Sequence, residues 1–246
     1  MRTSRKKALS FEEIIVFPLP GGIGLSHLCA YEWEAADGVC GGSPHLHLAC
    51  TEAYVVTGGR GAVQTLDVGG YRETELEPGV VAWFAPGTVH RMVQREDLRI
   101  TVLMQNSGLP EAGDAVFTFP PPILADPDAY ADAAAMPADD AAALGARDLA
   151  IEGYLPIRDA LVSGNPGPLR DFHRAAAALV APKVDAWFPR WRAGALAAAE
   201  LTGEHLEALA NGDVSHLERS GVRVVAPSKE DGYGMCGHRT EYPVDM

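Results

Sequence analysis

A chain of 246 residues that is 47% hydrophobic can bury a sizeable core, as one large domain or one domain with an appendage. Its formal net charge of −13 argues against nucleic acid as a partner, because phosphate backbones are held by clustered Lys and Arg. No apolar run approaches the ~18 to 20 residues of a membrane-spanning helix, and the basic opening through Lys7 is not followed by the apolar stretch of a secretory signal, so the expectation is no membrane and a cytoplasmic location.

The first half reads as strands and turns. Apolar and β-branched runs occur at Glu13–Leu19, Gly24–Trp33, Ala53–Thr57, Ala62–Leu66, Val80–Phe84, Val89–Gln94 and Leu98–Gln105. Gly58-Gly59-Arg60-Gly61, Asp67-Val68-Gly69-Gly70 and Glu77-Pro78-Gly79 between them have turn chemistry. Seven or more short strands with regular turns predict an all-β barrel or sandwich. Phe119-Pro120-Pro121-Pro122 closes this region, which divides the chain into residues 1–122 and 123–246. Ala125 to Asp140 reads as a connector with one short helix. Helical spacing then runs over Asp140–Ser163, Leu169–Val180 and Ala195–Asn211, the last with a boundary near Thr202-Gly203. Gly221–Ala226 has strand composition, and the tail from Cys236 has no clear periodicity.

The most informative residues lie in the β-rich half: Pro44-His45-Leu-His47-Leu-Ala-Cys-Thr-Glu52, and later Pro86-Gly87-Thr-Val-His90. Imidazoles and a carboxylate are what a divalent first-row metal wants, and four of them leave coordination positions open for a substrate. Residues two apart on a strand share a face, so His45 and His47 reach one ion together. Glu52 has the wrong parity for one straight strand, so a bend or bulge across Leu48 to Thr51 must turn the chain and aim it inward. His90 arrives on a distant strand after a Pro-Gly turn. Convergence of three strands implies a closed sheet with the metal in its mouth.

At these residues the chain resembles the cupin superfamily. Its first motif is met by His45, His47, Glu52 and Gly59, its second by Gly79, Pro86, Gly87 and His90. The departures are Gly38, one residue early for the leading glycine, the adjacency of Pro86 and Gly87, and Gln94 where many members have Asn. The resemblance covers roughly residues 20 to 106. It implies a mainly β, double-stranded β-helix (jelly-roll) barrel, here followed by a C-terminal α-helical region, with one divalent ion held by three His and one Glu. It also implies pairing as a homodimer. It leaves the reaction open, since this fold hosts many chemistries.

Fe, Mn, Ni, Co, Zn and Cu all suit the ligand set, with iron favoured. Redox-active iron supports oxygen insertion, so a dioxygenase or other oxidoreductase acting on a small organic molecule is the first expectation. The alternatives are a non-redox isomerase, epimerase or lyase of an oxygenated substrate, and a non-catalytic ligand- or metal-binding cupin. If Glu52 points inward, Tyr54 and Val56 follow; if His90 does, Met92 and Gln94 follow. Tyr54 is thus the best titratable candidate for a catalytic acid or base near the metal.

Other residues carry blander readings. Cys29, Cys40, Cys50 and Cys236 lack C-x-x-C spacing and read as reduced thiols, with Cys50 in a packing role. His27, His173, His205, His216 and His238 read as surface or hydrogen-bonded histidines, and the grouping of Cys236, His238 and Glu241 fits no structural zinc pattern. Trp187, Phe188 and Trp191 beside Arg190 and Arg192 suit a helix-packing patch better than a wall for an anion. No internal repeat suggests a second barrel.

Overall fold

The computed structural model describes residues 19–243; the expected strand at Glu13–Leu19 and the basic opening lie almost wholly outside them. Nine strands occur among the described residues: β1 (Gly24–Ala30), β2 (His45–His47), β3 (Glu52–Asp67), β4 (Gly70–Leu76), β5 (Val81–Phe84), β6 (Val89–Met104), β7 (Ala115–Phe117), β8 (Lys229–Tyr233) and β9 (Gly237–Glu241). All pair antiparallel.

Two 16-residue strands, β3 and β6, organise the barrel. The first part of β3 pairs with β5 and with the last part of β6, which pairs on its other side with β1. The second part of β3 pairs with β4, and the first part of β6 pairs with β2, which continues to β7. Each long strand therefore crosses from one sheet to the other. Side chains from both sheets meet inside, Tyr54, Val56, Ile100 and Val102 from one with Val63 and Met92 from the other.

The crossing point corrects one sequence expectation. Gly58-Gly59-Arg60-Gly61 is not a turn between two strands but a bulge within β3, where the register against β6 shifts three times between Val56 and Gly61. An extra residue in a strand flips the side-chain alternation. Even-numbered Tyr54 and Val56 face inward before the bulge, and odd-numbered Val63 does so after it. Gly59 has φ +68°, and a Cβ there would overlap the carbonyl oxygens of Glu96 and Asp97, so the motif glycine is needed for this close approach.

Among the described residues six α-helices follow: α1 (Pro121–Leu124), α2 (Pro127–Ala133), α3 (Asp140–Val162), α4 (Gly167–Val180) and α5 (Val184–Trp191), which pack residues onto the core under the second sheet, and α6 (Ala197–Ala210), which buries none. Asp126 and Asp139 cap α2 and α3 by accepting from backbone N–H groups of their first turns. Leu46, Leu66 and Val89 of the sheet share one core with Tyr154, Ile157, Leu169 and Phe172 of the helices. That double burial explains why the second part of β3 lacks in–out alternation. Gly153 lets α3 touch the barrel, since a Cβ there would overlap the Thr118 carbonyl. Trp187 packs on this core and donates from Nε1 to the Ala112 carbonyl, whereas Phe188 and Trp191 stay exposed with the Arg192 guanidinium over the Phe188 ring.

Three further expectations are corrected. Helix α6 runs unbroken through Thr202-Gly203. Gly221–Ala226 forms no strand and stays exposed; β-branched residues favour a strand only where a neighbour offers a ladder. The tail judged aperiodic forms β9, which joins the first sheet beside β1 and pairs with β8. No helix among the described residues is long and apolar enough to cross a membrane.

Candidate metal centre

The structure brings His45, His47, Glu52 and His90 together as expected, with one ligand atom from each lying within 4.8 Å of the others. The route is the one read from spacing. β2 ends at His47, a bend follows, and Glu52 opens β3 facing inward. His90 lies directly opposite His45 in the β2–β6 pairing. The Pro86-Gly87 turn delivering it is pinned twice: Gly87 N–H donates to the His47 carbonyl at 2.8 Å, and His173 Nε2 on α4 donates to the Gly87 carbonyl at 2.8 Å.

All four side chains are buried. The Nδ1 atoms face outward into the protein: His45 to the Ser43 carbonyl at 2.9 Å, His90 to the Thr88 carbonyl at 3.2 Å, and His47 to Asp114 Oδ2 at 3.0 Å. These bonds fix the tautomers so that each Nε2 is left for an ion. The Phe84 ring stacks on His90 with centroids 4.6 Å apart and planes 9° from parallel, which holds that imidazole in orientation.

The centre suits a cation rather than a closed hydrogen-bond network. Glu52 Oε2 and His90 Nε2 lie 2.9 Å apart, yet both are buried with no hydrogen-bond partner. Buried polar atoms are normally satisfied, so such a pair marks a place where a ligand belongs. Burial opposes ionisation of Glu52, but His90 and His47 outweigh it and hold its carboxyl well below the usual range. Burial and the neighbouring His90 push His45 down to about 3, so it is neutral and ready to ligate. His47 goes the other way: burial lowers it, but the Asp114 and Glu52 carboxylates raise it to about 9. A divalent ion held here would take the place of the His47 proton.

Asp114 was not visible from the sequence. It is fully buried at the entry to β7, and its Oδ1 accepts from the N–H groups of Leu48 and Ala49, the latter at 2.6 Å, while Oδ2 holds His47. A carboxylate behind a ligating imidazole tunes both its orientation and its basicity. Asp114→Asn is expected to weaken divalent-ion affinity by about 10- to 100-fold without loss of folded protein, checked by calorimetric titration and circular dichroism.

Tyr54 lies in the same hollow, fully buried, with its ring 6.1 Å from His90 and its hydroxyl 3.7 Å from Cys236 Sγ. Burial, Cys236 and Glu52 push the phenol well above 10. Met92 is inward as expected, and the Gln94 side-chain carbonyl accepts from Leu98 N–H four residues on in β6. Cys50 packs against the helices, buried beside Asn106. His238 stacks edge-on against Tyr31 and Trp33 and pairs with Asp231 at 3.4 Å.

Above the ligands opens a cavity of about 750 Å³. Barrel residues Val102 and Met104 form one wall and helical residues Tyr130 and Val180 another. Met235 and Cys236, from the turn between β8 and β9, close a third side. That turn is fastened by Ser43 N–H to the Met235 carbonyl at 2.7 Å and by the Tyr31 hydroxyl to the Gly234 carbonyl at 2.9 Å.

No protein-family model and no curated protein matches the chain. Among solved structures it is similar to one described with the DMSP lyases RdDddP and RnDddQII, at 21% identity over 38% of this chain and 43% of that one, with a TM-score of 0.29. An uncharacterized conserved protein with a double-stranded β-helix domain from Klebsiella pneumoniae matches at 16% identity over 34% and 64%, TM-score 0.26. A cupin protein from Bacteroides fragilis matches at 23% identity over 33% and 60%, TM-score 0.24. In each case this chain spans less than two thirds of the matched structure's length, and likeness at these scores says nothing about reaction or ligand. What is decisive lies within the chain: two long strands crossing between sheets, and both sequence motifs meeting on the inner face, give it the cupin fold, a double-stranded β-helix barrel with a helical region packed against one sheet.

Proposed function

We propose that the chain is a metal-dependent enzyme acting on a small organic molecule, and that its reaction is an oxidation by dioxygen. The observation that carries the metal is the orphaned pair of buried atoms, Glu52 Oε2 and His90 Nε2, within the four-residue cluster. His45, His47, Glu52 and His90 would hold the ion, which as Fe(II) supplies open coordination positions and a reductant for dioxygen.

The surroundings favour oxidation over proton transfer. An isomerase or lyase needs a side chain that exchanges a proton near neutral pH. Tyr54 is held protonated by burial, and Cys236 is raised to about 12, mainly by burial and then by Glu52. With its phenol protonated, Tyr54 lines the hollow as a hydrogen-bonding partner beside Cys236. The largely apolar walls suit an organic substrate better than a free sugar.

The test is oxygen consumption by protein loaded anaerobically with Fe(II), on addition of a small-molecule extract of cells, compared with Zn(II)- and Mn(II)-loaded protein. Uptake confined to the iron form is expected. Substrate turnover by the zinc or manganese form without oxygen uptake would replace this reading with the isomerase or lyase one. Retention of a small molecule without turnover would indicate a binding protein.

A further inference from the structure

The charged groups lining the cavity are unusual for this chain. It contains four lysines, Lys6, Lys7, Lys183 and Lys229. The first two precede the described residues, and both of the others line this cavity. They come from different walls. Lys183 ends the short turn after α4 and lays its ammonium against Gly113, next to Asp114. Lys229 opens β8 and folds its stem over Gly232. Both are exposed to water at the mouth.

Neither lysine is used by the protein itself. Every ion pair among the described residues uses Arg or His. The other charges around the cavity are spoken for: Arg239 bonds Glu241 at 2.7 and 3.2 Å, Glu111 accepts from Gly108 N–H at 3.1 Å, and Glu52 belongs to the ligand cluster. In a chain of net charge −13 the overall field repels anions, so an anionic ligand needs local positive charge at its entry. Lysine suits that task, as a mobile point charge with three donors.

We infer that the cavity takes an organic anion with an apolar body, its anionic group docked between Lys183 and Lys229 and its body laid along Val102, Tyr130 and Val180 towards the metal cluster. This rests on the cavity being the substrate site. The volume, about 750 Å³, has room for a medium-chain or aromatic acid. Carboxylates and phosphate esters share the required chemistry.

The test uses full-length, metal-loaded protein and three matched probes, octanoate, octanamide and octyl phosphate, titrated calorimetrically. Wild type is expected to prefer the anions to the amide by about tenfold, and Lys183→Met/Lys229→Met to lose that preference while keeping its metal content and circular dichroism. The tighter of octanoate and octyl phosphate names the anionic group. Equal affinity for octanoate and octanamide, no saturable binding of either anion at millimolar concentration, or an unchanged preference in the double variant would overturn the inference. Repeating the titration on His47→Ala separates it from the metal reading: a lysine-dependent preference that survives there, with wild type also taking up no metal, refutes the metal enzyme and leaves the anion site standing.

Discussion

His90→Ala is expected to abolish stoichiometric uptake of a divalent ion while the barrel remains folded. His90 is a central member of the cluster: its Nε2 lies 2.9 Å from Glu52 Oε2, and its ring centroid lies 4.3 Å from that of His45 and 5.9 Å from that of His47. Removing one ligand of four lowers affinity by orders of magnitude and leaves a cavity beside Phe84. Truncation of a buried side chain costs stability by about 2 to 4 kcal/mol, but loss of the crowded imidazole also relieves an unsatisfied Nε2. The fold should therefore persist. Elemental analysis and circular dichroism on the purified variant check both halves, and unchanged metal content would remove the basis for the assignment.

Asp37→Asn produces the largest expected loss of stability. Arg91, next to His90, is fully buried, and its guanidinium donates to Asp37 Oδ2 at 2.5 Å and Oδ1 at 3.0 Å. Neutralising the partner strands a buried cation, at a cost of about 3 kcal/mol or more. For a chain of this size that corresponds to a fall in Tm of roughly 10 °C. Burial raises the Asp37 carboxyl, but Arg91 outweighs it and the pKa is lowered. A lowered folded-state pKa contributes stability above the ordinary carboxylate pKa of about 4, and that contribution fades as pH falls through the folded value. The gap in Tm between wild type and Asp37→Asn should thus be full at pH 7 and shrink below pH about 4. A gap that does not vary over this range would show that the pair contributes nothing through its charge. Asp37→Asn/Arg91→Met should recover part of the loss, because no cation is then left buried.

The His45, His47, Glu52 and His90 cluster was legible in the sequence because chemistry and spacing act together. His45 and His47 share parity, Glu52 requires a bend, and Gly59 and Pro86-Gly87 mark the backbone positions that make convergence feasible. Asp114 was not legible, since one acid before Ala-Val-Phe carries no signal until the β2–β7 pairing sets it behind His47. Strand β4 escaped notice because most of it is exposed on both faces, so Tyr71 to Glu75 shows no apolar alternation. Gly203 suggested a helix boundary, but on a helix with no buried residue a glycine costs only its propensity, about 1 kcal/mol, and the helix tolerates it. Val222, Val224 and Val225 promised a strand and remain exposed, for a ladder is made between segments and not within one.

The turn between β8 and β9 bears on how the centre is assembled during synthesis. The four residues of the cluster lie between positions 45 and 90, whereas Met235 and Cys236 are added only after every described helix has been synthesised. Contacts joining such distant stretches form late, because long loops must first be closed. Until that hairpin docks, one side of the hollow stands open to the surrounding water, and a hydrated ion can reach the imidazoles past the place that Met235 and Cys236 later fill.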